Sequence, residues 1–98
     1  MEFSSKQRSN LRSLAQNIEP ITQIGKGGIS DALTETVSKA LDKRELVKIS
    51  VLDNADSSAQ DFAVELADKT ASDVVCVIGR KIVLYRKSLK PGVKHVEF

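Results

Sequence analysis

A glycine-rich segment carries the sharpest chemical signal in this sequence. Gly25, Gly27 and Gly28 surround Lys26 where a short apolar run gives way to a helical pattern. Glycine allows backbone angles that a Cβ would forbid, so such a loop can lie flat against a partner. The helix N-terminus behind it favours anions, and Lys26 adds a mobile positive charge. The segment therefore predicts contact with a phosphodiester backbone, the alternative being an ordinary strand-to-helix turn. Its spacing fits neither the P-loop nor the dinucleotide fingerprint.

Further basic side chains could extend that contact. Lys6, Arg8 and Arg12 fall in the first helical pattern, and Arg80 and Lys81 fall between the last two apolar runs. If the first helix lies beside the glycine loop, these cations converge with Lys26 and make salt-sensitive, sequence-tolerant contacts to phosphates. The alternative is a scatter of solvated basic residues. We predict contacts to a nucleic-acid backbone from Gly25, Lys26, Gly27, Gly28, Lys6, Arg8, Arg12 and Lys81.

Residues that could support catalysis or bind a metal are sparse. His95 is the only histidine and is expected to be solvent-exposed, while the single cysteine, Cys76, lies in an apolar run and is expected in the core. One cysteine excludes an internal disulfide and any multi-cysteine metal site. Three acidic residues at helical spacing indicate a solvated face: Asp61, Glu65 and Asp68. We therefore expect no enzyme activity, no cofactor, no metal and no small-molecule substrate.

The composition describes one small domain with segregated charge. The chain has 98 residues, with 41% hydrophobic, 29% charged and only 4% aromatic residues, which argues against binding by aromatic stacking. No apolar stretch approaches the ~18–20 residues that span a bilayer, so we expect no membrane partner. The net charge of +2 conceals +2 in residues 1–50, −5 in 51–79 and +5 in 80–98. A small net charge is thus compatible with a strongly basic face.

Hydrophobic periodicity predicts the element order α-β-α-β-α-β-β. Two strand–helix–strand crossovers predict parallel pairing, and the short Gly79-Arg80-Lys81 connection predicts a closing hairpin whose two strands both lie inside the sheet. The fold class is α/β in the two-layer α+β sense, with a four-stranded mixed sheet. Residues 88–98 are expected to form a mobile tail, or to pack or add a strand through their apolar residues. The predicted elements are helix 3–17, strand 21–24, helix 31–44, strand 46–52, helix 59–70 and strands 73–78 and 82–86.

Four separated blocks carry a family pattern. They are Ser5-Lys6-Gln7-Arg8 with Leu11-Arg12-Ser13-Leu14-Ala15, Gln23-Ile24-Gly25-Lys26-Gly27-Gly28, Arg44-Glu45-Leu46-Val47-Lys48, and Val77-Ile78-Gly79 with Ile82-Val83-Leu84-Tyr85-Arg86. Together they resemble the CRM domain, the chloroplast RNA splicing and ribosome maturation family. The stand-alone bacterial members, the YhbY-like RNA-binding proteins, are the most similar type.

The resemblance implies both a fold and a role. It implies a fold like the C-terminal domain of translation initiation factor three, one domain over residues 1–88 with a tail over 89–98, and RNA contacts through the GxxG loop. It further implies a cytoplasmic, ribosome-associated monomer that binds ribosomal RNA and assists assembly of the large subunit. The alternatives are a protein-interaction adaptor on ribosomal particles and an intron-splicing type of RNA-binding module.

Overall fold

Three helices and a four-stranded mixed sheet make up the chain. A computed structural model describes residues 3–98, and the predicted α+β class and element order are confirmed. The bounds differ from the sequence-based ones by a few residues at most. The elements are α1 (Ser5–Ala15), β1 (Pro20–Ile24), α2 (Asp31–Arg44), β2 (Leu46–Val51), α3 (Ala59–Thr70), β3 (Asp73–Ile78) and β4 (Lys81–Tyr85).

Local side-chain bonds determine where the helices begin. α1 begins with a capping box: Gln7 N–H donates to Ser4 Oγ at 3.1 Å, and Ser4 N–H donates to Gln7 Oε1 at 3.0 Å. Ser30 and Ser58 cap α2 and α3 in the same way, each accepting from a backbone N–H three residues ahead. Each cap satisfies a donor that the helix itself leaves unpaired. The three starting points therefore follow from residues adjacent in the chain.

The strand order is β1-β2-β4-β3, which corrects two expectations. β1 and β2 pair in parallel as predicted, and β4 is antiparallel to both of its neighbours. β4 lies between β2 and β3. The second crossover connects β2 to β3, and these two strands run in the same direction but do not pair with each other. β3 is consequently an edge strand, and the prediction that both hairpin strands are interior is wrong. An edge strand leaves a row of backbone groups without a ladder partner.

The sheet separates two apolar clusters. α2 and α3 cover one face, where the larger core includes Leu41, Ile49 and Leu66, all fully buried. α1 covers the other face with a smaller cluster built from Leu11, Ala15, Leu46, Val75, Val83 and Tyr85. Full burial of an aliphatic side chain contributes roughly 1.5–3 kcal/mol. Because Leu11 and Ala15 are the only buried residues of α1, this helix is held to the sheet by few apolar contacts.

A β-bulge in β3 moves Cys76 out of the main core. Val74 and Cys76 pair with successive residues of β4, and the extra residue Val75 between them has no partner there. Val75 and Cys76 therefore both pack in the cluster on the sheet face that α1 covers. Cys76 is half-buried rather than a fully buried core residue, which corrects the sequence-based expectation. Burial raises the pKa of its thiol, although the positive charges of Arg12, Arg8 and Lys48 oppose the effect. At neutral pH the side chain is therefore a neutral thiol.

Residues 88–98 pack onto the domain through a buried carboxylate. Glu45 is 0% exposed, and its carboxylate accepts backbone N–H bonds from Ser88 and Val96, both at 2.6 Å. Its Oε2 also lies 2.6 Å from Nδ1 of His95, and the His95 side chain is 51% exposed, so the expected exposure is confirmed although the ring also contacts Glu45. Of the alternatives for this segment, the structure shows packing, with no added strand. We call this arrangement the Glu45 clasp.

Aromatic rings join the two ends of the described chain. Phe3, Tyr85 and Phe98 form three edge-to-face pairs, with centroid separations of 5.9 Å from Phe3 to either partner and 5.0 Å between Tyr85 and Phe98. Such pairs add about 0.5–1.5 kcal/mol each beyond the area they bury. The start of α1 and the end of the tail therefore meet beside the last residue of β4.

Replacing Ala71 by Gly is expected to be neutral or to stabilise the fold by up to about 1 kcal/mol. Ala71 ends α3 with a φ of +52°, and Ser72 N–H donates to Ala67 O at 2.9 Å in the 6→1 bond of a Schellman motif. Glycine adopts this left-handed conformation without the steric cost that alanine carries. Urea unfolding of the Ala71→Gly variant measures the change, with Ser57→Gly in an exposed turn as the control.

Candidate nucleic-acid interface

The glycine segment forms a tight turn at the end of β1. Gly28 N–H donates to Gly25 O at 3.1 Å, and Gly27 and Gly28 have φ values of +95° and +73°. Side chains other than glycine rarely adopt these angles. A Cβ on Gly28 would meet the ring of Phe62 at 3.5 Å, an ordinary van der Waals contact, so the requirement for glycine comes from the φ value. The predicted requirement for glycine is therefore real at both positions, and Lys26 projects from the turn as an exposed side chain.

The helix N-terminus behind this loop is less available to an anion than the sequence suggested. Leu33 N–H donates to Ser30 Oγ, and Thr34 N–H already donates to Ser30 O. Asp31 adds a negative charge in the first turn of α2. A carboxylate there already interacts with the helix dipole. The end of α2 therefore has few backbone donors and little positive field left for an anion.

A cleft between α1 and the sheet gathers three cations. Arg12 of α1, Lys48 of β2 and Lys81 of β4 line it, with Ala15, Gln16, Ile78 and Val83 completing its walls. Its volume is about 270 Å³, and no carboxylate lines it. Lys81 Nζ donates to Ser50 Oγ at 2.9 Å, while Arg12 and Lys48 make no hydrogen bond or ion pair within residues 3–98. We call this surface the basic cleft.

A second cavity continues from the basic cleft along the same flank of α1. Arg12 lines both cavities, and Arg8, one turn earlier, joins it beside Phe3, Ser5, Ser9 and Cys76. Again no carboxylate contributes to the lining. Arg8 differs from Arg12 because its guanidinium donates to backbone carbonyls of β3. The two cavities present four positive side chains along one side of the molecule.

The predicted basic residues thus converge only in part. Arg8, Arg12 and Lys81 lie on the α1 side of the sheet. Lys26 lies on its separate loop, at the end of the sheet where β4 begins, because Leu52 N–H donates to Ile24 O at 2.8 Å beside that turn. Lys6 is exposed and stands two residues before Arg8, which places it about 200° away around the helix. Lys6 therefore does not face the cleft.

Lys48 was not among the predicted site residues. It interrupts the apolar sequence Leu46-Val47-Lys48-Ile49 at a position that shares a sheet face with Leu46 and Ser50. Strand alternation alone indicates that this face accommodates a charge. The sequence therefore contained a usable signal: a lysine in the middle of a buried strand, on the face that α1 only partly covers.

Other chemistries have little support in the described part of the chain. Across residues 3–98, no group of three or more His, Cys, Asp and Glu side chains is arranged to hold a metal ion. Over the same range, none of the helices has the length and apolar character needed to cross a bilayer. Phe62 and Tyr85 are core residues, each 4% exposed. The acidic residues Asp61, Glu65 and Asp68 lie exposed on α3, also as predicted.

The fold and the cleft define a small α+β domain whose cations gather on one sheet face beside a glycine-rich loop. The chain belongs to the CRS1/YhbY (CRM) domain family, whose family model matches residues 3–86. The resemblance noted from four sequence blocks is therefore confirmed. The Glu45 clasp binds the segment 88–98, and this segment lies beyond the residues that the family model matches.

Bacterial relatives match over most of their own length. The chain is 42% identical over 86 residues to the probable RNA-binding protein YqeI of Bacillus subtilis, covering 88% of this chain and 90% of the relative. It is 30% identical over 87 residues to an RNA-binding protein of Haemophilus influenzae, covering 88% and 87%. The solution structure of the hypothetical protein SAV1595 from Staphylococcus aureus superposes with a TM-score of 0.77 at 43% identity, covering 92% of this chain and 94% of that one.

Proposed function

We propose that this protein binds structured RNA through the basic cleft and the glycine loop, without catalysing a reaction. The observation that carries the proposal is the cleft itself: Arg12, Lys48 and Lys81 line one cavity to which no carboxylate contributes. Cations held together without counter-charges gain most from a polyanion, since phosphates release their condensed counterions on binding. The names of the bacterial relatives as RNA-binding proteins support the same conclusion.

The mode of recognition follows from the aromatic residues. Phe62 and Tyr85 are buried, and Phe3 and Phe98 are half-buried in ring contacts with Tyr85. No aromatic face is therefore fully presented to solvent in residues 3–98, and base stacking contributes little. Recognition through phosphates, 2′-hydroxyls and helix shape is the mode that suits double-helical RNA. The glycine turn would bring backbone N–H groups close to the ribose-phosphate chain.

Within this class we propose ribosomal RNA as the partner, in a cytoplasmic, ribosome-associated protein that assists large-subunit assembly. The support is the family membership together with bacterial relatives that the chain matches over most of their own length. An intron-splicing role would use the same surface on another RNA. Extraction and sequencing of the RNA crosslinked to the protein in cells separates these possibilities.

A protein-interaction adaptor is the second candidate, and one observation favours it. Val64 is 59% exposed on α3, amid the acidic residues Asp61, Glu65 and Asp68. Co-sedimentation with ribosomal particles after RNase treatment distinguishes the two functions. An RNA-binding protein dissociates when its RNA is digested, whereas an adaptor stays on the particle after protected ribosomal RNA has been excluded as the link.

Replacing Lys26 by Glu should weaken binding to precursor ribosomal RNA by about tenfold at ~0.1 M salt, because a phosphate contact is lost and a like charge is added. Fluorescence anisotropy across a salt series measures the change. Lys69→Glu is the matched control, since Lys69 is exposed on α3 and the charge change is the same. If Lys26→Glu binds like the wild type, the loop is not part of the interface.

A further inference from the structure

Arg8 is already bonded within the protein. Its Nη1 donates to the carbonyl of Val74 at 2.9 Å and also to the carbonyl of Val75. Both carbonyls lie at the bulge of β3, and no strand lies beyond this edge within residues 3–98. The Arg8 guanidinium carbon also lies 5.3 Å from the centroid of the Phe3 ring. The side chain thus supplies donors to backbone acceptors at the edge of the sheet.

This bond matters because few other contacts fix the exact rotation of α1. Only Leu11 and Ala15 of the helix are buried; they determine which side of α1 faces the sheet, but apolar burial is not directional and fixes the exact rotation only weakly. Directional hydrogen bonds from Arg8 to a bulge at a defined place on β3 supply that orientation. A guanidinium is suited to this because its donors are planar and fixed.

Arg12 stands one turn further along the same flank of α1. Residues four apart on a helix are neighbours, so a rotation of α1 that displaces Arg8 displaces Arg12 as well. Arg12 makes no hydrogen bond or ion pair within residues 3–98, and it lines the cleft opposite Lys48 and Lys81. Its place over these lysines therefore depends on the orientation of the helix.

We propose that Arg8 is a positioning residue for the RNA site: it bonds to the β3 bulge and holds Arg12 over Lys48 and Lys81. The inference rests on the proposed function and corrects the sequence-based assignment of Arg8 as a direct RNA contact. Arg12 contacts phosphate, and Arg8 acts through it.

A double-mutant cycle on RNA binding tests this assignment. The variants are Arg8→Gln, Arg12→Gln and the double variant, measured with a structured ribosomal RNA fragment across a salt series, far below the unfolding midpoint of each. Arg12→Gln should lose about sixfold in affinity at ~0.1 M salt, and the slope of log K against log salt should fall by about 0.7–0.9. Arg8→Gln should also lose affinity, by at most the same factor, and in the Arg12→Gln background it should change neither affinity nor slope.

Two further measurements distinguish positioning from a general effect on the fold. Amide hydrogen exchange along α1 should accelerate in RNA-free Arg8→Gln and remain as in the wild type in Arg12→Gln. Arg8→Lys should not restore RNA affinity, because the lysine nitrogen ends one bond short of Nη1 although its charge is kept. A role confined to global stability would accelerate exchange but leave the affinity of the folded protein unchanged.

The outcomes separate this inference from the function on which it rests. Additive losses in the double variant, with a second decrease in the salt slope, would show that Arg8 contacts phosphate itself. Restoration by Arg8→Lys, or an unchanged affinity in Arg8→Gln, would likewise overturn the positioning role while RNA binding stands. A wild-type protein that binds no RNA would remove the proposed function and the positioning role together.

Discussion

Replacing Arg12, Lys48 and Lys81 together by Gln will lower the affinity for structured RNA by about two to three orders of magnitude at ~0.1 M salt. Each phosphate contact contributes roughly 0.8 log units at that salt concentration through counterion release, so three contacts give this total. The slope of log K against log salt should fall by about 2. Fluorescence anisotropy with one RNA at several salt concentrations measures both quantities.

A matched triple variant controls for net charge. Lys43, Lys69 and Lys90 are exposed residues outside the basic cleft, and their replacement by Gln removes the same three charges. This control should bind within about threefold of the wild type, because long-range attraction between exposed charges is screened at this salt concentration. Equal losses of affinity in the two triple variants would mean that RNA binding depends on the overall charge of the protein rather than on the basic cleft.

Removing the carboxylate of Glu45 should destabilise the fold by about 3 kcal/mol, as expected when one partner of a buried charged network is deleted. In a Glu45→Ala variant the buried N–H of Ser88 and the N–H of Val96 lose their acceptor, and the tail is held to the domain by fewer contacts. Thermal unfolding should shift downward by about 12 °C or more for a domain of this size. Glu97→Gln is the control, since Glu97 is an exposed tail carboxylate. Equal stabilities for Glu45→Ala and Glu97→Gln would contradict the clasp.

The same carboxylate makes stability depend on pH. Burial alone would raise the pKa of Glu45, but hydrogen bonds from Ser88, His95 and Val96 outweigh it and hold the pKa below its ordinary value of 4.5. The stabilisation that the ionised Glu45 carboxylate gives to the fold is therefore fully present above about pH 4.5. It is lost as the pH falls through the lower pKa that Glu45 has in the folded protein. Urea unfolding of the wild type and of Glu45→Gln should show a stability difference that narrows from about pH 7 to about pH 3. A constant difference would exclude Glu45 as the titrating group.

Features that depend on neighbouring residues were predictable from the sequence. The capping box of Ser4 and Gln7 and the turn at Gly27 and Gly28 each involve a few adjacent residues, and both are present. The helical periodicity of Leu11 and Ala15 likewise identified the buried side of α1. In such cases the local backbone preference and the buried face lead to the same structure.

Features that depend on distant residues were not predictable. A hairpin signal shows that β3 and β4 pair, but it does not show which of them joins β2, so the edge position of β3 was missed. The bonds of Glu45 reach residues 43 to 51 positions away, and nothing beside Glu45 in the sequence indicates a buried carboxylate. Its φ of +65° is equally unexpected for a glutamate. Arg8 was assigned correctly to the flank of α1, but the β3 bulge that it contacts could not be foreseen.

The meeting of Phe3 and Phe98 has a consequence for how the domain can be linked to others. Their ring centroids are 5.9 Å apart, beside Tyr85 at the end of β4. The glycine turn lies near the other end of that strand, where Lys81 begins it. A linker of a few residues could therefore join one copy to the next, or close the chain into a circular permutant, at the end of β4 opposite the glycine turn. New linkers or chain breaks can therefore be placed where Phe3 and Phe98 meet, while the glycine turn near the other end of β4 is left unchanged.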